Sequence, residues 1–503
     1  MSVVLVFDLG GSSLKSALID TNGQILAQHR IDATFTNEKS GVFEINPEVW
    51  WKDVVTSINT LHKLDPFAFA SVQGIGLCGF TRTQVFLGPD GAVLRPAITW
   101  QDTRAEPTIP TLKALLPDTH PEFEQINAFH PLARLHWLKT AEPQSVQNLA
   151  TVLDPKDFIA YRLTGARHSD PISMARLLAA SQPGKDGRSL MAAAGLPDSL
   201  LPKLLDPTAR IGRLQASHNG ALALLAGKPV FNGSNDTWAA VLGLGAMRPG
   251  MAYNISGTTE VFGVIHQEQT SADGLLSVDW GGMYQLGGPG QNGAETIRWL
   301  LAVINDQKQQ TDPGEALSRL LLMPREPQPL LFLPYLNGER TPYWDSSLRG
   351  AFLGLNRKHG AVDMAYAVFE GVAFHNRIIL ERAEHATGIC VNEIRFGGGA
   401  AASPIWRQIK ADVCGRPVIV GETTETGLLG AAAVVWTGLG HFESLEKAQQ
   451  TMVRTLSRSE PDTGRRRFYD ELFVHFRAAE KALSPLSTSL SQMSLIPSPS
   501  FGA

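Results

Sequence analysis

Three regimes of apolar and polar spacing alternate along the chain. Residues 3–7 (Val-Val-Leu-Val-Phe) form a continuous apolar run, the mark of a strand covered on both faces. The run ends in Asp8-Leu9-Gly10-Gly11-Ser12-Ser13-Leu14-Lys15, which predicts a tight turn. Residues 15–19 and 24–27 then flank Asp20-Thr21-Asn22-Gly23, where Asn-Gly offers the positive φ angles of a hairpin turn. Past Asn46, a capping residue, and Pro47, suited to a first helical turn, Trp50, Val54, Ile58 and Leu61 recur at helical spacing. Residues 72–77 predict a second buried strand, 85–87 a strand before the Gly88-Pro89-Asp90-Gly91 turn, and 363–381 a long helix. The uncharged stretch 426–440 is shorter than the roughly 18 residues of a membrane span and is broken by glycines, so it predicts a buried helix. Such alternation predicts an α/β fold with helices covering sheets.

The turn after the first strand has a counterpart far along the chain, Asn254-Ile255-Ser256-Gly257-Thr258-Thr259-Glu260. We read this as one fold used twice, with the two turns facing each other. The expected domains are 1–247 and 248–483, followed by a flexible tail 484–503, a stretch crowded with Ser and Pro that has no charge and no periodicity. A length of 503 residues accommodates such domains at about 100–200 residues each. With 44 basic against 48 acidic residues the net charge is −4, which supplies no bulk field for nucleic acid or an anionic membrane. Cys78, Cys390 and Cys414 form no C-x-x-C pair and no disulfide framework, and the first residues lack a basic n-region, so a cytoplasmic setting is expected.

Candidate chemistry is concentrated in small-residue turns. Gly10-Gly11-Ser12-Ser13 would let backbone N–H groups approach a phosphate, with Asp8 able to hold magnesium through water; a plain structural turn is the alternative. No Walker A loop occurs. Gly74-Ile75-Gly76-Leu77-Cys78-Gly79 matches G-x-G-x-x-G, but the extended character of residues 80–87 argues against a dinucleotide site. Asp236, within Asn232-Gly233-Ser234-Asn235-Asp236-Thr237, reads on its own as a helix cap. Gly397-Gly398-Gly399, before Ser403, suits either a flat ligand or close helix–strand packing. Trp100-Gln101-Asp102-Thr103-Arg104 mixes an apolar face with hydrogen-bonding groups, as sugars require, although an Asp–Arg pair is also an ordinary salt bridge. The thirteen histidines show no paired metal-ligand spacing.

In order and spacing these segments resemble the FGGY carbohydrate kinases, of the sugar-kinase, chaperone and actin superfamily, over about residues 4–440. The similarity within that family is greatest to xylulose kinases. It is carried by Asn46-Pro47-Glu48 with Trp50-Trp51, Leu94-Arg95-Pro96-Ala97, Asp154-Pro155-Lys156-Asp157-Phe158 with Leu163-Thr164-Gly165, residues 332–342 (Phe-Leu-Pro-Tyr-Leu-Asn-Gly-Glu-Arg-Thr-Pro), and Phe369-Glu370-Gly371.

The resemblance implies two actin-like, ribonuclease H-like domains with ATP and sugar meeting in a cleft. Asp236 would be the catalytic base and Asp8 the magnesium anchor. Gly10, Gly11, Ser12, Ser13 and Lys15 would meet the nucleotide phosphates with Gly257 and Thr258, while Gly398, Gly399 and Ser403 would cradle adenosine. Thr81, Arg82, Trp100 and Asp102 would contact the sugar. D-xylulose, phosphorylated to its 5-phosphate, leads among substrates. The chain departs from the family in having Gly11 where a Thr is common, and from xylulose kinases in reading Phe80-Thr81-Arg82-Thr83 where they have Gln-Met-His-Gly. The second departure leaves another ketose, a polyol or a sugar acid open. An actin- or chaperone-like ATPase and a silent sugar sensor are the competing classes, and a homodimer is the assembly the resemblance allows.

Overall fold

The computed structural model of the protein describes residues 2–33, 41–304, 317 and 319–493. The chain forms two compact units, Met1–Gly245 with Glu425–Val453, and Ala246–Thr424 with Arg454–Ala503.

The first unit opens with the expected meander of β1 (Val3–Leu9), β2 (Ser13–Asp20) and β3 (Ile25–Asp32), each antiparallel to the next. The β2–β3 turn differs from the Asn-Gly expectation. Only Gly23 takes a positive φ, and Asp20 closes the turn by accepting the N–H groups of Asn22 (2.9 Å) and Gln24 (2.8 Å). Helix α1 (Pro47–Leu64) starts at Asn46, whose side chain accepts the Glu48 N–H at 3.0 Å. It buries Trp50, Val54, Ile58 and Leu61. Strand β4 (Val72–Gly79) runs parallel to β1. Further along come α2 (Pro131–Ala141), α3 (Pro155–Thr164), β5 (Arg210–Arg213), β6 (Pro229–Phe231), β7 (Ser234–Asn235) and α4 (Asp236–Gly243). The seven-stranded sheet has the order β5-β6-β4-β1-β2-β3, with β7 also paired to β4.

In the second unit, β8 (Met251–Ser256), β9 (Glu260–His266), β10 (Leu276–Asp279) and β11 (Tyr284–Pro289) precede α5 (Ala361–Thr387), β12 (Glu393–Gly397), α6 (Pro404–Cys414) and β13 (Val418–Gly421). The chain then returns to the first unit as α7 (Thr426–Gly438), before β14 (Thr455–Ser459) and α8 (Thr463–Ser491) complete the second. The second seven-stranded sheet, β10-β11-β9-β8-β12-β13-β14, repeats the logic of the first: antiparallel neighbours on one side of the opening strand, a parallel neighbour on the other. One fold is used twice, as the repeated turns imply.

Two boundaries differ from the sequence reading. The division falls after Gly245 rather than Met247, and residues 425–453 belong to the first unit. The reason lies in α7, which has no charged side chain and is buried around most of its circumference, so it seats on β1 and β4. Gly76 is what lets it approach: a Cβ there would lie 2.3 Å from the Val435 side chain. The G-x-G-x-x-G pattern is therefore a strand surface made thin for a helix, not a dinucleotide turn. The second difference is the expected tail, since α8 continues through Pro485 to Ser491. Its core face buries Tyr469, Leu472, Phe473 and Phe476, while Ser487 is buried and Thr488 hydrogen-bonds Ser347 at 2.9 Å, so tertiary contacts hold the Ser-rich end. Residues 494–503 of that expected tail lie outside the described residues.

Close packing of α7 on α4 sets a test of the fold. A Cβ on Gly430 would come within 1.9 Å of the Ala239 carbonyl oxygen. Gly430→Ala should cost about 2–4 kcal/mol, because backbone must move to admit the methyl group. Denaturant unfolding checks this, and an unchanged midpoint would show that the helices are not in such contact.

Candidate active site

Asp8, near the end of β1, and Asp236, at the start of α4, are close enough for the second to act electrostatically on the first. Asp8 is the penultimate residue of β1, and its Oδ1 is buried without a hydrogen-bond partner among the described residues. Burial, followed by the neighbouring Asp236 carboxylate, pushes its pKa up to about 7 against the opposing pull of Lys15. Asp236 is not the cap that its composition suggested. Asn235 is the cap, accepting the Trp238 N–H at 2.8 Å, and Asp236 is the first residue of α4. Its Oδ1 accepts the N–H (2.6 Å) and hydroxyl (3.2 Å) of Thr237, leaving Oδ2 as the atom able to take a proton. Burial raises the Asp236 pKa above the usual carboxylate range, with the Thr237 bonds opposing.

Two interacting, partly buried carboxylates, one with an orphan oxygen, suit a hard cation. Among the described residues no group of three or more His, Cys, Asp or Glu could cage one. A magnesium ion here would thus need water and ligand oxygens around a single protein anchor, which is its ordinary habit. Lys15 Nζ stands 2.6 Å from Glu425 Oε2. In the adjoining turn Gly11 and Ser12 are exposed, Ser13 is buried, and the Ser13 carbonyl accepts the Gly10 N–H at 3.0 Å. A Cβ on Gly11 would meet nothing within 4 Å, so nothing in the protein obstructs approach to this backbone.

A second group of candidates gathers on loops of the same unit. Arg82 is exposed at φ +57°, in the left-handed region unusual for a residue with a side chain, and its guanidinium makes no hydrogen bond or ion pair among the described residues. Arg176, Glu122 and Asp154 act on it electrostatically. Trp100 is 43 % exposed, so its ring offers an apolar face. Thr81 donates its hydroxyl to the Ser173 carbonyl at 3.2 Å and retains acceptor capacity. Asp102 departs from expectation. It is buried, and its carboxylate is taken up by the N–H groups of Phe43 (3.0 Å) and Arg104 (3.0 Å) and by the Arg104 guanidinium, so it braces the loop rather than facing a ligand.

In the second unit the turn at Gly257 and Thr258 is exposed, and it is held by Ala294 and Glu295, whose N–H groups reach the carbonyls of Gly257 (3.0 Å) and Thr258 (3.3 Å). Gly398, at φ +85°, lies against the neighbouring strand so closely that a Cβ would be 2.3 Å from the Ser256 carbonyl oxygen. The two turns are thereby joined, and Gly399 beside them is exposed. Ser403 is committed locally: it caps α6 by accepting the Trp406 N–H at 3.3 Å.

The model for the FGGY family of carbohydrate kinases, N-terminal domain, matches residues 3–243, and that for the C-terminal domain matches residues 252–437. The chain belongs to the FGGY family of carbohydrate kinases. It is 27 % identical to the xylulose kinase of Bacillus subtilis over 97 % of this chain and 99 % of the relative. The glycerol kinase of Delftia acidovorans is 28 % identical over 92 % and 97 %. Among solved structures, the xylulose kinase of Rhodospirillum rubrum matches at a TM-score of 0.84 and 26 % identity, over 96 % of this chain and 99 % of that one. The fold is accordingly the actin-like ATPase type, and the protein is an ATP-dependent FGGY carbohydrate kinase, a phosphotransferase acting on an alcohol group. No helix among the described residues is long and apolar enough to cross a membrane.

Sequence reasoning named Lys156 and Asp157 only within the resemblance and missed the buried charge network they build beside Asp236. Lys156 is 1 % exposed and holds Asp157 (2.5 Å) and Asp170 (2.9 Å), while Ser234 donates to Asp170 at 2.8 Å. Ser234 lies two residues before Asp236, so this network fixes the strand that delivers the acid. Arg134 was missed as well, although an arginine among Leu132, Leu135 and Leu138 on one short helix is the kind of signal that marks a buried charge.

Proposed function

We propose that the protein transfers the γ-phosphoryl group of ATP to a hydroxyl of D-xylulose, giving D-xylulose 5-phosphate. Asp236 carries this reading: it is a carboxylate made more basic by burial, with one oxygen tied to Thr237 and the other able to accept the hydroxyl proton as the new O–P bond forms and ADP leaves. Asp8 would anchor magnesium, which supplies neutralisation of phosphate charge when bound. Gly10, Gly11, Ser12, Ser13 and Lys15 in the first unit, and Gly257, Thr258, Gly398, Gly399 and Ser403 in the second, are the proposed nucleotide residues, with Ser403 serving through its helix N-terminus. Thr81, Arg82 and Trp100 are the proposed sugar contacts. Full-length similarity to curated xylulose kinases supports the choice of sugar.

One observation favours a second reading, a sugar acid. The Arg82 guanidinium has no protein partner among the described residues, while the nearby Arg176 is already paired with Glu122 at 3.0 Å, so Arg82 is the donor left for a carboxylate. A coupled ADP-release screen over pentuloses, polyols and sugar acids, with ATP in excess, separates the two. Rapid release with D-xylulose supports the first reading, and release confined to an acid supports the second. ATP hydrolysis strong without sugar and indifferent to the panel would overturn both. Arg82→His should shift kcat/KM between neutral and acidic substrates by about tenfold or more, as expected for loss of a charge-assisted bond. An unmoved preference would remove Arg82 from the sugar contacts.

A further inference from the structure

Arg134 is 1 % exposed on α2, among the leucines of that helix, and it makes no ion pair shorter than 4.0 Å among the described residues. Its Nη1 donates to the carbonyl of Arg82 and its Nη2 donates to the carbonyl of Trp100 at 3.0 Å, while Nε is buried without a partner. The two carbonyls belong to different loops, and each is the main chain of a proposed sugar contact. The loops are also tied directly, since the Trp100 N–H donates to Thr83 Oγ1 at 3.2 Å. The buried carboxyl of Asp154 also interacts with the Thr83 main chain. Arg82 sits between these anchors in its left-handed conformation, a strained state for a residue with a side chain that persists only where the surroundings enforce it.

Burying a guanidinium against two carbonyls is expensive, and burial lowers the pKa of Arg134 to about 10. A methionine would fill the helix face more cheaply if packing were the only requirement. What methionine lacks is a rigid planar fork that reaches two carbonyls at a fixed separation. We infer that Arg134 is a positioning residue for the sugar, setting the spacing of the 81–83 and 100–104 loops and locking the backbone that aims Arg82 and Trp100. Asp154 is its counterpart on the 81–83 loop, acting on the N–H side of the same Arg82–Thr83 peptide whose carbonyl Arg134 holds. The inference rests on the proposal that these loops contact the substrate.

The test compares wild type with Arg134→Met and Arg134→Lys, using whichever sugar the wild type phosphorylates fastest. Arg134→Met should raise the KM for sugar by about 10–100-fold, the loss expected from displacing positioning groups by about 1 Å. KM for ATP and the sugar-independent ATP hydrolysis should stay within about twofold of wild type, because among the described residues Arg134 hydrogen-bonds to none of the proposed nucleotide residues. Arg134→Lys, which keeps the charge without the fork, should fall between, and it carries the test if the methionine variant does not fold. Parallel rises in both KM values would mark Arg134 as merely structural, and an unchanged sugar KM would also overturn the inference. A wild type that phosphorylates no sugar at all would instead overturn the proposed function.

Discussion

Asp236→Asn should lower sugar-dependent turnover by about 10²–10⁴-fold, the range that a positioned general base contributes, while ATP affinity changes little. The amide is isosteric with the acid and can keep the Thr237 bonds on its oxygen, so α4 and its Asn235 cap should survive. What is lost is an atom able to accept the hydroxyl proton. Steady-state kinetics with a coupled ADP assay, together with calorimetric titration of a non-hydrolysable ATP analogue, reads both quantities. Turnover within about threefold of wild type would assign proton acceptance elsewhere.

Asp8→Asn should act in opposite directions on stability and on catalysis. The carboxyl has a folded-state pKa near 7 against an ordinary 3.8. Well below pH 3.8 it is protonated in folded and unfolded chains alike. As pH rises from 4 to 7 the unfolded chain ionises it freely while the folded chain resists, so native stability falls over that window and stays reduced above it. The full shift corresponds to about 4 kcal/mol, and partial access of the residue to water reduces that to roughly 2–4 kcal/mol. Asparagine removes this cost. The nucleotide-free variant should therefore melt several degrees above wild type at pH 8, with a gain that shrinks as pH falls toward 4. Its turnover should nevertheless drop at least about 100-fold, for want of the anionic anchor that would hold magnesium, the group that would neutralise phosphate charge when bound. A melting temperature that does not rise at pH 8 would show that Asp8 is not held as a strained carboxylate. Stability spent on an unsatisfied group is characteristic of a site built for a ligand rather than for the fold.

Residue patterns disclosed the fold where burial follows a simple period. The uninterrupted apolar run of β1 and the four-four-three spacing of α1 read directly as elements, because each buries one continuous surface. Membership of α7 in the first unit was not legible. That depends on a tertiary fit, a helix apolar on most faces seated on strands thinned by Gly74 and Gly76, and no local pattern states which sheet receives it. The end of α8 failed for a related reason: Ser and Pro argue against helix locally, yet burial of Ser487 and the contact to Ser347 override propensity.

The site divides in the same way. Asp8 and the glycine turn were visible because a strand ending in an acid and small residues is a local motif. Asp236 looked like a cap, and only the family resemblance lifted it out, since Asn235 one residue earlier has the same propensity and in fact takes that role. Asp102 was given to the sugar by the family resemblance, but its oxygens are filled by Phe43 and Arg104, neighbours that spacing alone cannot supply. Arg134 escaped notice because its partners are distant carbonyls, and Lys156 was quoted only as part of the resemblance, because its link to Asp170 is a tertiary one.

A crystal structure of the protein with its sugar substrate and a non-hydrolysable ATP analogue tests the central claim most directly. The account predicts a substrate hydroxyl oxygen about 2.6–3.2 Å from Asp236 Oδ2, with the terminal phosphorus in line behind it. A sugar bound away from Asp236, with that carboxylate bonded only to Thr237, would contradict it.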